Sequence, residues 1–192
     1  ESLKRLKLLN SAQNLRIEPY ALSDNEKKIK FVVPKNGHSS GAGHLVNEKS
    51  IINEDSINVE CKTLDSYILE DLSVKLVFMD AEGSELDILR GGKKFIEQNR
   101  PVIILESAPK LLSRLGHSVN DLIIEINQHG YNLFRMGFLS LKTVKDKDIH
   151  KKQNLICIPL EKNNLVGTIN KKLAMVGLSP MISWVNPLKN LR

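Results

Sequence analysis

Apolar and polar positions along this chain switch between two periods, and the switches mark out its elements. The opening "ESLKRLKLLNSAQN" sets Leu3, Leu6 and Leu9 at near-helical spacing and predicts a helix. "LRIEPYALSD" reads as a short strand ending in a polar loop at Ser23 and Asp24. "KIKFVVP" (28–34) alternates as a second strand, and "KNGHSSGAGH" (35–44) is a loop by composition. "INVECKTLDSYI" (57–68) predicts a strand followed by a short helical turn.

The period changes most clearly after residue 74. "KLVFM" is apolar beyond its lysine and rich in strand formers, as expected of a strand covered on both faces. Residues 84–98 return to helical spacing through Leu86, Leu89, Phe95 and Ile96, with an interruption at Gly91-Gly92. Pro101 follows, and "VIILE" (102–106) repeats the buried-strand pattern. Strand, helix and strand with short joints predict a βαβ unit with a right-handed crossover. Further on, "VNDLIIEINQHGY" (119–131) predicts an amphipathic helix stopped by Gly130. "YNLFRM" and "NLICIPL" predict two more strands around a charged loop at 142–153, and a last helix is expected over 165–177. The fold class is therefore α/β, with no internal repeat.

Composition narrows the picture. A chain of 192 residues suits one domain with a sizeable core. No apolar run approaches the ~20 residues that cross a bilayer, so no membrane span is expected. Cys61 and Cys157 stand far apart, which predicts two buried thiols in a reducing, cytoplasmic setting rather than a zinc site or a disulfide framework. The net charge of +6 is spread over scattered lysines, and aromatics make up 5%, a pattern that argues against nucleic acid as a partner. An anionic small substrate is compatible with it. The chain starts at Glu1, without an initiator Met and inside a helical pattern, so a fragment of a longer reading frame is expected, with any targeting signal in the missing part.

The candidate chemistry lies at strand ends. In open α/β sheets ligands bind outside the carboxyl ends of the strands. Asp80 and Glu106 each end a predicted buried strand, and on neighbouring strands ~4.8 Å apart they converge on one ligand. Two such carboxylates suit a general base or a shared cation. A helix-capping reading stands beside this one: Asp80 or Ser84 caps the following helix, Ser84 with Asp87 mimics a capping box, and Glu82 and Glu85 read equally as capping or surface residues. "GHSSGAGH" lacks the Lys-Ser/Thr ending of a phosphate loop. Its His38 and His44 are candidates for acid–base or metal-binding roles, and Ser39 and Ser40 for hydrogen bonds to a substrate. His117, His129 and His150 read as helix-end or loop residues.

The stretch "VFMDAEGSELDILRGGKKFIEQNRPVIILES" resembles the signature of the FkbM-type methyltransferases, carried by Asp80, Glu82, Gly83, Glu85, Leu86, Leu89 and Gly91, with Pro101 and Glu106 closing the unit. "LKRLKLLN", "YALSD", "KTLDSYI", "HGYNLF" and "NLICIP" agree in order, so the resemblance spans about residues 1–160. It implies a class I Rossmann-like methyltransferase sheet that uses S-adenosylmethionine to methylate a hydroxyl of a sugar or related metabolite, that is, a small-molecule or glycan acceptor. It maps Ala21, Leu22, Ser23 and Asp24 beside the adenine. It makes Asp80, Glu82 and Glu106 the catalytic candidates, with a divalent metal as a further expectation, while the loop reading leaves His38, Ser39 and Ser40 as the substrate-binding candidates. The family's opening strand, glycine-rich turn, helix and ribose-binding acidic strand have no match here. A partial catalytic domain over 1–160, a C-terminal extension over 161–192 and weak cofactor binding are therefore expected. Two rival readings stand: an inactive remnant serving as a binding module, and a metal-dependent Rossmann-like hydrolase built on Asp80 and Glu106.

Overall fold

The structure is a computed structural model that describes residues 2–32, 44–46, 56–67 and 73–178. It is a mixed α/β fold with two sheets. The first half holds α1 (Ser2–Leu9), β1 (Ala21–Leu22), β2 (Lys27–Val32), β3 (His44–Val46) and β4 (Ser56–Lys62). Its four strands run in the order β1-β4-β2-β3, with β1 parallel to β4 and β2 antiparallel to both neighbours.

The second half builds a five-stranded sheet from β5 (Leu76–Met79), β6 (Val102–Ser107), β7 (Tyr131–Met136), β8 (Leu141–Thr143) and β9 (Gln153–Pro159). Its order is β5-β6-β9-β7-β8. β5 and β6 are parallel, whereas β9 inserts antiparallel between β6 and β7. The helices are α2 (Glu85–Arg90), α3 (Lys93–Asn99), α4 (Pro109–Arg114), α5 (Val119–Gln128) and α6 (Asn164–Leu178).

Strand alternation decides what lies on each face. Along β6, Ile103, Leu105 and Ser107 are buried, and the first two join Leu155, Cys157, Leu86, Leu89, Ile96, Leu112 and Leu122 in one core under α2–α5. The opposite face sends Ile104, Ile156, Ile158 and Phe134 toward Val166, Ile169 and Leu173 of α6. Helices thus cover both faces of this mixed sheet.

Several expectations need correction. The strand "KLVFM" is not covered on both faces: Leu76 and Phe78 are 57% and 68% exposed. β5 is the end strand among the described residues, and the apolar residues of α6 pack with β6 to β9 rather than with β5. The helix expected over 84–98 is two helices, divided at Gly91-Gly92 by packing. A Cβ on Gly91 would lie 2.1 Å from the Ser23 carbonyl oxygen, so the end of the first sheet rests directly on this joint. Asp65 fastens the same seam, since its carboxylate accepts the Phe95 N–H at 2.9 Å and the Lys94 N–H at 3.2 Å, capping α3 from a distant loop. The Ser84–Asp87 pattern makes no capping box, because the Ser84 side chain forms no cap hydrogen bond and Asp87 faces His117 at 2.8 Å. A capping box does open α5, where Ser118 and Asp121 bond reciprocally. The short α4 and β8 were not anticipated, whereas the last helix falls over 164–178 as expected. Both cysteines are free and buried, and burial pushes the Cys157 thiol up to about 12. Among the described residues no helix is long and apolar enough to cross a membrane.

Candidate functional site

Parallel pairing of β5 with β6 ends at Met79 opposite Leu105, so Asp80 and Glu106 follow side by side at the carboxyl ends of adjoining strands. Asp80 is exposed and Glu106 half-buried. The reversed strand β9 begins at this same rim, with Gln153 paired to Ser107. The residue before it, Lys152, places Nζ 2.9 Å from Glu106 Oε2. That hydrogen bond raises the Lys152 pKa above the ordinary lysine value, and the charges of Glu106, Glu82 and Asp80 add to it. The three carboxylates singled out from sequence therefore share the field of one ammonium. Sequence reasoning missed Lys152, which sits in a run of similar charges; only the direction of β9 distinguishes it.

The turn that carries Asp80 is held in an uncommon shape. Glu82 has φ 49°, in the left-handed region that non-glycine residues rarely occupy, and Gly83 follows at φ 105°. A Cβ on Gly83 would lie 2.6 Å from the Leu111 carbonyl oxygen, so only glycine fits between the turn and α4. Glu85 braces the turn from beneath. It is 1% exposed, and its carboxylate accepts the Ala81 N–H at 2.9 Å and the Gly83 N–H at 3.1 Å. Burial raises its pKa, against the pull of hydrogen bonds from its own backbone, Ala81 and Gly83. Glu85 is thus neither a cap nor a surface residue. Beside it, the Ser84 and Ser107 hydroxyls are buried without a hydrogen-bond partner among the described residues. Strain of this kind gathers where a structure holds functional groups in place.

The second group of expected site residues lies elsewhere. Ala21 and Leu22 form β1, and Ser23 and Asp24 follow it beside Gly91, at the C-terminal end of α2. Asp80 to Gly83 precede the N-terminal end of that helix, about 9 Å away along its axis. Ser23 is buried, and its N–H donates to the Lys62 carbonyl at 2.9 Å. Asp24 Oδ1 accepts from Ser23 Oγ at 3.0 Å and from Lys27 Nζ at 2.9 Å. Burial would raise the Asp24 pKa, but the Lys27 and Ser23 hydrogen bonds outweigh it and hold the carboxyl below its ordinary value.

These contacts bear on whether the described residues fit S-adenosylmethionine. The Ser23 N–H and Asp24 Oδ1 are already engaged, and Asp24 Oδ2 is what is left to accept from an adenine amino group. Gly83 and Gly91 are crowded by Leu111 and Ser23, so neither offers a backbone cradle for the rest of the molecule. The described residues by themselves do not fit it. His38, Ser39 and Ser40 lie outside the described residues, and His44 is described only as backbone of β3. Among the described residues no group of three His, Cys, Asp or Glu side chains is placed to hold a metal ion.

A family profile described as the methyltransferase FkbM domain matches residues 3–133. The crystal structure of methyltransferase FkbM from Methylobacillus flagellatus KT is similar, with 16% identity and a TM-score of 0.45. That match covers 81% of this chain and 32% of the other, so the chain spans about a third of the length of the solved protein. No curated protein matches it.

Proposed function

This chain belongs to the family of FkbM methyltransferase domains, and on that premise we propose that it carries the acceptor-activating part of an S-adenosylmethionine-dependent methyltransferase site. The observation that carries the reading is the rim itself. Asp80 and Glu106 stand at the carboxyl ends of two adjoining parallel strands, Lys152 bonds Glu106 and feels the charges of Glu82 and Asp80, and buried Glu85 braces the turn after Asp80. A class I Rossmann-like sheet is the corresponding fold reading, supported by helices on both faces and by β9 reversed between β6 and β7. On this reading residues 1–160 form the catalytic domain and 161–192 an extension, whose helix α6 packs on the sheet.

The acceptor is a hydroxyl of a sugar or related metabolite. Asp80, the exposed carboxylate, would take the hydroxyl proton onto its side-chain oxygen. Lys152 offsets the charge that would otherwise gather there, and its bond to Glu106 fixes that side chain. Glu85 keeps Asp80 in place through the Ala81 and Gly83 amides. General-base help of this kind contributes about 10²–10⁴-fold, and orientation supplies much of the remainder.

The engaged Asp24 and the crowded glycines favour a second reading, a domain of the same family that binds without catalysing. Labelled S-adenosylmethionine, incubated at millimolar concentration with the chain and a panel of hydroxyl-bearing sugars, separates the two. Methyl transfer that drops by about 10² or more in Asp80→Asn supports the enzyme. Transfer untouched by that change removes Asp80 from the mechanism, and no transfer to any sugar leaves the binding module. Calorimetric titration with the same compound is expected to show no micromolar binding to this chain.

A further inference from the structure

The turn that carries Asp80 leans on α4, and α4 is fastened to the molecule at a second point. A Cβ on Gly83 would lie 2.6 Å from the Leu111 carbonyl oxygen and 3.2 Å from the Leu111 Cβ, so the turn rests on the middle of that helix. The support is only as firm as the seat of α4 itself. With six residues, α4 draws its stability from packing rather than from propensity. Leu112 is buried in the main core, whereas Leu111, which meets the turn, is half-buried.

The second point lies at the C-terminal end of α4. There the Gly116 N–H donates to the Ser113 carbonyl at 3.1 Å and the His117 N–H to the Leu112 carbonyl at 3.0 Å. Gly116 is left-handed, with φ 82°. This is the Schellman arrangement, and it ties His117 to the last turn of the helix. From that position the His117 ring crosses to α2. Its Nε2–H donates to Asp87 Oδ1 at 2.8 Å, and the two side chains are 17% and 16% exposed. A bond to a carboxylate sheltered in this way is of the stronger kind.

Asp87 belongs to α2, the helix that leaves the Asp80 turn. Turn, α2, His117 and α4 therefore close a ring, with the Gly83–Leu111 contact on one side and the hydrogen bond on the other. Every group in the ring is among the described residues. We propose that His117 is a positioning residue for Asp80, holding α4 against the turn through its bond to Asp87. Glu85 braces the turn from beneath, and His117 fixes the wall at its side. The catalytic meaning of this role rests on Asp80 acting as the base; the mechanical coupling does not.

Amide exchange on the isotopically labelled chain, read residue by residue by NMR, tests the coupling without any methyl transfer. In His117→Ala the Ala81 and Gly83 amides, both bonded to Glu85, should exchange about tenfold faster, the worth of one lost bond to a charged group. Ile103 and Leu105 on β6 should keep their protection. His117→Gln retains an N–H donor and should bring both turn amides back to within about threefold of the wild type. Asp87→Ala should match His117→Ala, and the double variant should be no worse than either, since each removes the same bond. Gly116→Ala repeats the test from the backbone side. Its methyl would meet no atom within 4 Å, yet the left-handed φ is strained for alanine, so the same two amides should quicken. Unchanged turn amides in His117→Ala, equal quickening along β6, no rescue by glutamine, or additive losses in the double variant would each overturn the proposal. A chain that shows the coupling and transfers no methyl group keeps His117 in this role and loses Asp80 as the base. A chain that transfers methyl while its turn ignores His117 does the reverse.

Discussion

The two halves of this molecule are built in different ways. Before residue 73, Val32 and Cys61 are the buried apolar side chains among the described residues; all the others lie between Met79 and Pro159. The first sheet is held by backbone pairing along β2 and β4 and by its seat on the α2–α3 joint. The second is held by a continuous core under four helices and a smaller one under α6. Pairing without a core gives local order of low stability, whereas the packed half should unfold as one cooperative unit. The carboxylate rim belongs to the packed half, on a strained turn that needs a rigid base.

Truncation is the strongest way to break this comparison. Leu86 is fully buried in the main core, and Leu86→Ala is expected to cost about 2–5 kcal/mol, as cavities of that size do. Ile57, exposed on β4, should change stability by no more than about 0.5 kcal/mol when cut to Ala. Denaturant unfolding followed by circular dichroism measures both. Equal costs would mean that the halves share one core.

The seam offers a smaller and sharper test. Gly91→Ala sets a methyl group 2.1 Å from the Ser23 carbonyl, and backbone on both sides leaves little room to yield. A cost of about 1–3 kcal/mol is expected, typical of overpacking. Its location matters more than its size. Amide exchange should quicken in β1 and β4, next to Ser23 and Lys62, while β6 keeps its protection. Loss of protection in β6 would show the second half to depend on the first.

How much of this could be read from the residues follows the same division. The βαβ unit was legible because "KLVFM" and "VIILE" are short apolar runs with a helical period between them, and the neighbouring placement of Asp80 and Glu106 followed from that. Exposure of Leu76 and Phe78 was not legible, since an apolar run records what a strand can bury and not whether a neighbour is there. Lys152 and Asp65 escaped for a shared reason. Each acts on a residue far along the chain, and neither local charge nor local period reports a tertiary partner. Glu85 looked like one more first-turn acid until Ala81 and Gly83 were seen to fold back over it. Ser84–Asp87 and Ser118–Asp121 share the spacing of a capping box, yet only the second forms one, because Asp87 is drawn away by His117.

The least of the expected effects compares the two halves by their response to acid. Asp24, in the first half, has a lowered pKa, so its contribution is present above the ordinary value of 3.8 and is lost as pH falls through the lowered one. Glu85, in the second, runs the other way. Burial raises its pKa, so the native state holds the proton more tightly than the unfolded chain does. Its contribution is full below the ordinary value of 4.5 and is lost as pH rises through the raised one. Glu85→Gln cannot titrate, and its amide turns an N–H toward the Ala81 or Gly83 N–H, leaving one donor unpaired. The variant should therefore be less stable than the wild type at acid pH by about 1 kcal/mol. The gap should narrow as pH rises toward neutrality, because only the wild type then loses stability. Denaturation midpoints for the two proteins, taken over a series of pH values, read this difference free of every other titrating group. A gap that widens with pH would mean that the ionised carboxylate is the form the turn prefers, with the two amides stabilising the charge by more than burial costs it.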